Sequence, residues 1–292
     1  MKINSGNISI YLPNKLKDSS YYSEKPFVVF SNDNFIDKSI YLEFISEIKA
    51  LFKEADWEKG ATGKKRFKYD PYNINDNDLN ETILNFINIF STKEFKQWFR
   101  QTHECFYDVG LLGSFFPKLN FIKKLLKIIN LISRKLFKLK AFNIYSTQVE
   151  FSKIGPGASI SPHTDSFTKR MALVFYTPLS ELNQDMIKSW GTTFWQAKPG
   201  LKPLKSWFSN HKIDQKELRN FYDENEVFTS IDYEANKING FIKSDLSWHS
   251  VEKNNYEENR VAIVINIHDT ASTEQDIPII ENIQSALLGK TT

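Results

Sequence analysis

Within SPHTDSFTKRMALVFYTP, residues 161–178, a histidine and an aspartate stand one residue apart, just ahead of an apolar run. If 161–166 is extended, His163 and Asp165 point to the same face, and Pro162 biases Ser161 toward that conformation. Two ligands hold a metal loosely. A third is offered by His249, 84 residues after Asp165, in the strand-like setting SDLSWHSVEKNNYEENRVAIVINI. Two imidazoles and one carboxylate occupy one face of an octahedron, a donor set suited to ferrous iron that leaves three positions for other ligands. Alone, the HxD pair reads more simply as a surface histidine beside a turn aspartate. Arg260 changes the balance. Eleven residues past His249, it opens the run RVAIVINI, in which Arg260, Ala262, Val264 and Asn266 share one face of a strand. A guanidinium starting an apolar strand needs an anionic partner if it is buried, and a carboxylate brought in from outside would serve.

These residues need a scaffold. After residue 140 the chain breaks into short apolar or alternating runs, YSTQVEFSK, MALVFYT, TTFWQA, NEVFTSID, KINGFI and RVAIVINI, separated by Gly, Pro, Asn and Asp. Short strands punctuated by turns predict a sandwich or jelly roll. The earlier half is different. PFVVFSND (26–33) reads as a short strand. Asp37 is positioned to cap a helix in KSIYLEFISEIKALFKEADWEK, whose apolar residues recur every three to four positions. ETILNFINIFSTKEFKQWFRQ has the same helical spacing, as does 118–140. Residues 60–80 are polar and turn-rich and read as a loop. The expectation is an α+β protein: a mainly helical support region over 1–140, a β core over 141–270 and a C-terminal tail over 271–292, together one domain.

The HTD pair, the distal histidine and the arginine eleven residues on resemble the Fe(II)- and 2-oxoglutarate-dependent dioxygenase superfamily, in its prolyl 4-hydroxylase-like branch. FVVFSNDNFID followed by a helix, VEFSKIGPGASISPHTD, KRMALVFYTP and WGTTFW resemble that branch too, the last with Thr192 where the GGxTxF turn has its second glycine. The likeness is strongest over about residues 145–268. It implies a double-stranded β-helix, a cupin-like jelly roll, holding Fe(II) between His163, Asp165 and His249. It implies that 2-oxoglutarate chelates the iron and sets its distal carboxylate against Arg260, in reach of Tyr176. It implies consumption of O2, release of succinate and CO2, and ascorbate as a supporting reductant. Because Asp165 is present where halogenating members carry a small residue, it implies hydroxylation of a C–H bond. Ala262 stands where some branches carry a serine that assists the arginine.

Composition sets outer bounds. The 292 residues are 41% apolar, 25% charged and 14% aromatic, with 24 Phe and 12 Tyr, an ordinary balance for a folded chain with aromatic-rich strands. The single cysteine, Cys105, excludes an internal disulfide framework. With no signal-like or membrane-length apolar run, the expected location is cytoplasmic. Eight of the 38 basic residues crowd between Asp108 and Glu150, which leaves 30 basic against 35 acidic elsewhere, so the positive charge is local. The basic helix 118–140 could touch an anionic surface, but its simpler role is a support helix with solvated lysines. The expected partner is a small-molecule or peptidyl substrate, not nucleic acid. His103, His211 and His268 read as structural or exposed, and Asp245 as a loop residue. Two alternatives use the same triad: a metal-binding jelly-roll module without 2-oxoglutarate turnover, and a cupin-type metalloenzyme. The cation at 260 separates the second from the oxygenase, and succinate release separates the first.

Overall fold

Alternating apolar residues open the chain. Ile3, Ile8 and Ile10 are buried on β1 (Lys2–Ser5) and β2 (Ile8–Tyr11), an antiparallel hairpin. Gly6 takes φ +54 at its turn, where a Cβ would fall 2.2 Å from the Asn85 side chain, so only glycine fits. β3 (Tyr21–Ser23) and β4 (Val29–Asn32) follow. The Asp37 Oδ1 then accepts from the Ser39 backbone at 3.0 Å and starts α1 (Lys38–Glu54), which buries Phe44, Ile48 and Phe52 on one stripe. Two short strands come next, β5 (Glu58–Lys59) and β6 (Arg66–Tyr69). Asn80 caps α2 (Glu81–Ile89). Thr92 accepts from the Phe95 backbone at 3.2 Å and begins α3 (Lys93–His103), so the single helical stretch expected over 81–101 is broken in two. This computed structural model describes residues 1–54, 58–59, 66–69, 79–103, 112–115, 128–129, 132, 142–166, 168–204 and 214–269.

The rest is mostly strand: β7 (Leu112–Phe115), β8 (Phe142–Ile154), β9 (Ile160–His163), β10 (Lys169–Tyr176), β11 (Thr192–Ala197), β12 (Asn225–Ile231), β13 (Ile238–Ile242), β14 (His249–Val251) and β15 (Arg260–Asp269). Among the described residues two helices interrupt it, α4 (Gln184–Ser189) before β11 and α5 (Gln215–Glu224) before β12. The larger sheet runs β3-β4-β13-β10-β15-β8-β6-β5, with β7 parallel to β8; the smaller runs β12-β11-β14-β9. From β8 onward the chain crosses between sheets, β8 large, β9 small, β10 large, β11 and β12 small, β13 large, β14 small, β15 large. This is the expected double-stranded β-helix.

Strand periodicity assigns each face its partner. On β10, Met171, Leu173 and Phe175 pack toward the helices, where Phe175 meets Phe44 and Phe86 with ring centroids 6.2 and 6.1 Å apart. Ala172 and Tyr176 point the other way, into a second core with Phe194, Phe241 and Ala262 between the sheets.

The helical support region expected over 1–140 is mixed. Its described residues include three α-helices, but β4 extends the larger sheet by pairing with β13 and β3 extends it further by pairing with β4, which covers an edge that would otherwise be open. The expected loop over 60–80 contains β6, paired with β8. The basic segment 118–140, apart from 128–129 and 132, and the tail beyond 269 lie outside the described residues, as do Cys105, His211 and the His103 side chain. No helix among the described residues is long and apolar enough to cross a membrane.

Candidate metal centre

β9 ends on His163 and β14 begins on His249, and the two are register partners across the smaller sheet. Their ring centroids lie 4.3 Å apart. Asp165 follows two residues later, and one ligand atom from each of the three residues lies within 4.8 Å of the others. The three are therefore brought together as the sequence predicts. No other such cluster of His, Cys, Asp and Glu occurs among the described residues. His268 instead meets Thr168 Oγ1 at 3.3 Å, and Asp245 is an exposed loop residue paired with Lys243.

The donor set fits a divalent metal on its own evidence. His163 Nδ1 donates to the Ser161 carbonyl at 2.9 Å and His249 Nδ1 to the Ser247 carbonyl at 3.0 Å, which places the ring proton on Nδ1 and the lone pair on Nε2. Asp165 is buried, and its Oδ2 has no hydrogen-bond partner among the described residues while lying 3.9 Å from His249 Nε2. Its other oxygen, Oδ1, takes a 2.6 Å ion pair from Lys169. Burial opposes ionisation of Asp165, but the Lys169 ammonium beside it holds its carboxyl well below the usual carboxylate range. Phe241, with its ring 4.5 Å from that of His249, walls the site with apolar surface.

Arg260 shares this cavity. It is 3% exposed and lines the same space as the triad and Thr192. Its Nε donates to the Trp190 carbonyl at 2.5 Å, and its guanidinium carbon sits 5.5 and 5.3 Å from the Tyr176 and Tyr233 ring centres. No carboxylate among the described residues pairs with it. Burial lowers its pKa and the two tyrosines oppose that, so it is a cation held in a dry place by dipoles and rings alone. Tyr176, expected near the cosubstrate, is not among the residues lining the cavity. Its hydroxyl donates to Thr192 Oγ1 at 2.8 Å and to the Ile231 carbonyl at 3.2 Å, while its ring lies beside Arg260.

Sequence reasoning did not find Lys169, Trp190 or Thr192 as parts of the site. Lys169 lies four residues from Asp165, but a lysine at a strand start is ordinarily solvated. Trp190 acts through its backbone carbonyl, which no side-chain pattern reports. Thr192 is set by Gly191, where a Cβ would stand 2.5 Å from the Ile231 carbonyl oxygen. The glycine lets β11 approach closely and turns the threonine hydroxyl inward.

No protein-family model matches the sequence, and no curated protein matches it. Solved structures do match. Among them are prolyl hydroxylases and another 2-oxoglutarate/Fe(II) oxygenase. A prolyl hydroxylase from Trichoplax adhaerens, in complex with a hypoxia inducible factor peptide, is 11% identical, with TM-score 0.47, covering 82% of this chain and 83% of its own. A Pseudomonas putida prolyl-4-hydroxylase is 11% identical, with TM-score 0.47, covering 83% and 93%. HygX from Streptomyces hygroscopicus, with nickel, 2-oxoglutarate and hygromycin B bound, is 8% identical, with TM-score 0.45, covering 84% of each chain. Likeness at this level says nothing about function; the side chains must.

Proposed function

We propose that the chain is an Fe(II)- and 2-oxoglutarate-dependent oxygenase that hydroxylates a C–H bond of a small-molecule or peptidyl substrate. The observation that carries this reading is the pairing of a His-Asp-His cluster with a buried, carboxylate-free arginine in one cavity. A metal-binding module or a cupin-type metalloenzyme has no use for that cation, because a buried guanidinium without a counter-ion costs stability unless a ligand supplies the charge.

His163, Asp165 and His249 would hold the iron as the protein's three ligands. Bound iron supplies the activation of O2 coupled to decarboxylation of 2-oxoglutarate to succinate and CO2. The protein's own residues do the rest. The carbonyls of Ser161 and Ser247 fix both imidazoles with Nε2 as the ligand atom. Lys169 keeps Asp165 ionised and occupies one of its oxygens, so the other serves as a single ligand. Arg260 accepts the distal carboxylate of 2-oxoglutarate in a charge-assisted contact. Thr192 adds a hydroxyl to that end of the cavity. Tyr176 supports both by bonding Thr192 and packing beside the guanidinium. Phe241 and Val264 keep water from the cosubstrate side of the cavity.

The binding step is testable without a substrate. Anaerobic Fe(II) and 2-oxoglutarate together should give a visible charge-transfer band that neither gives alone. Absence of that band with iron demonstrably bound removes 2-oxoglutarate from the account.

A further inference from the structure

Asn254 stands in the loop between β14 and β15 and is buried. A side-chain amide has two donor hydrogens and an oxygen with two lone pairs, and here all four are used. Oδ1 accepts from the Trp190 indole Nε1 at 3.1 Å and from the Tyr256 backbone N–H at 3.0 Å. Nδ2 donates to the Ile154 carbonyl at 3.2 Å and to the Glu258 carbonyl at 2.7 Å. With two N–H donors on its oxygen and two carbonyls on its nitrogen, the amide fits in one orientation only.

Three of these partners bear on Arg260. Ile154 is its register partner on β8, and Glu258 precedes it by two residues. Trp190 is the C-cap of α4, so its carbonyl lies past the helix's own hydrogen bonds and accepts from Arg260 Nε at 2.5 Å. The Trp190 ring also packs edge-on against Tyr233, the ring that lies beside the guanidinium. The triad hangs on other groups: the Ser161 and Ser247 carbonyls and the Lys169 ammonium. Toward the loop that leads to β9, Asn254 bonds through its backbone, donating to the Ala158 carbonyl at 2.8 Å and accepting from the Gly157 N–H at 2.6 Å. A side-chain substitution leaves both groups in place.

We infer that Asn254 is a positioning residue for 2-oxoglutarate, acting through Trp190, Ile154 and Glu258 to aim the Arg260 guanidinium at the distal carboxylate. The inference rests on the oxygenase reading. A guanidinium meets a carboxylate bidentately only in a fixed plane, and the Trp190 carbonyl on Nε helps to set that plane. Loss of the amide frees the Trp190 indole and two carbonyls at once. Grip on the distal carboxylate then weakens, while chelation at the metal does not.

The test uses Mn(II)-loaded protein, titrated separately with 2-oxoglutarate and with oxalate, which chelates a metal but carries no distal carboxylate. The fall in water-proton relaxation as each ligand displaces metal-bound water gives its half-saturation. Asn254→Ala should raise the 2-oxoglutarate value relative to the oxalate value about tenfold or more, the weight of one misplaced hydrogen bond to a charged group. Mn(II) affinity should be unchanged. If the alanine variant does not fold, Trp190→Phe decides, because it keeps the backbone carbonyl and an aromatic ring but loses the N–H; the same ratio should rise. An unchanged ratio in the deciding variant, whether both ligands weaken together or neither does, makes Asn254 a merely structural residue and leaves the oxygenase reading standing. If the wild type takes Mn(II) and oxalate but not 2-oxoglutarate, the oxygenase reading fails and the positioning role goes with it.

Discussion

Lys169 Nζ lies 2.6 Å from Asp165 Oδ1, four residues away, and the buried Asp165 and the partly buried Lys169 both line the cavity that holds the two histidines. A cation beside a metal ligand works in two directions. It repels the metal, but it also keeps the carboxylate ionised against desolvation and fixes which oxygen faces the imidazoles. The second effect should dominate in so buried a site. Lys169→Met is therefore expected to weaken Mn(II) binding about tenfold or more, the usual cost of losing a group that orients a ligand. Lys169→Arg should restore most of it. Titration followed by electron paramagnetic resonance checks this; unchanged or tighter binding in the methionine variant would show that the lysine does not organise the site.

The histidines are expected to be indispensable. His163→Ala or His249→Ala leaves two ligands, and iron content after loading and desalting should fall to a small fraction of one per chain. Both positions sit at strand ends rather than in the main core, so the variants should stay folded by circular dichroism. Iron content equal to wild type in either variant would remove that residue from the ligand set.

Arg260 should trade stability for binding. Arg260→Met is expected to raise the 2-oxoglutarate concentration for half-maximal binding about a hundredfold, in line with the roughly 2–5 kcal/mol that loss of a hydrogen-bonded charge pair costs. Metal binding should be unaffected. The Tm of the metal-free protein should be unchanged or higher, because the substitution removes a buried cation that no described carboxylate neutralises. A large fall in Tm with unaltered 2-oxoglutarate binding would make Arg260 a structural residue.

Alkaline pH offers a check on the packing that joins the N-terminal segment to the barrel. Tyr41 is pushed up to about 12 by burial, opposed by the Asn236 backbone N–H that its hydroxyl accepts at 3.1 Å. The unfolded chain loses this proton near its ordinary value of 10.0. Between those values the unfolded state binds fewer protons, so stability is full below pH 10 and falls as pH rises toward 12. Tyr41→Phe should flatten that part of the denaturation profile. An identical slope in the variant would contradict the shift.

Much of this was legible in the sequence because its signals are local. The short apolar or alternating runs from residue 145 to 267 became β8, β10–β13 and β15, and TTFWQA coincides with β11. The spacing from HTD to His249 and Arg260 named the residues that the cavity brings together. What stayed hidden depends on distant partners. β3 is too short to show a pattern, and it becomes a strand because β4 offers it an edge. The break between α2 and α3 turns on one threonine inside an otherwise helical period. The hydroxyl of Tyr176 reads from sequence as free for a ligand, but Thr192 and Ile231, brought in from two other strands, accept its hydrogen bonds.

The most direct test of the whole account is succinate. Iron-loaded protein given 2-oxoglutarate in air should form succinate and CO2 in equal amounts, even if slowly without substrate. That formation should stop on omission of iron or oxygen. It should be lost in His249→Ala and, at low 2-oxoglutarate, in Arg260→Met. Failure of the iron-loaded wild type to form succinate under air, with or without candidate substrates, would contradict the assignment of this cavity to 2-oxoglutarate turnover.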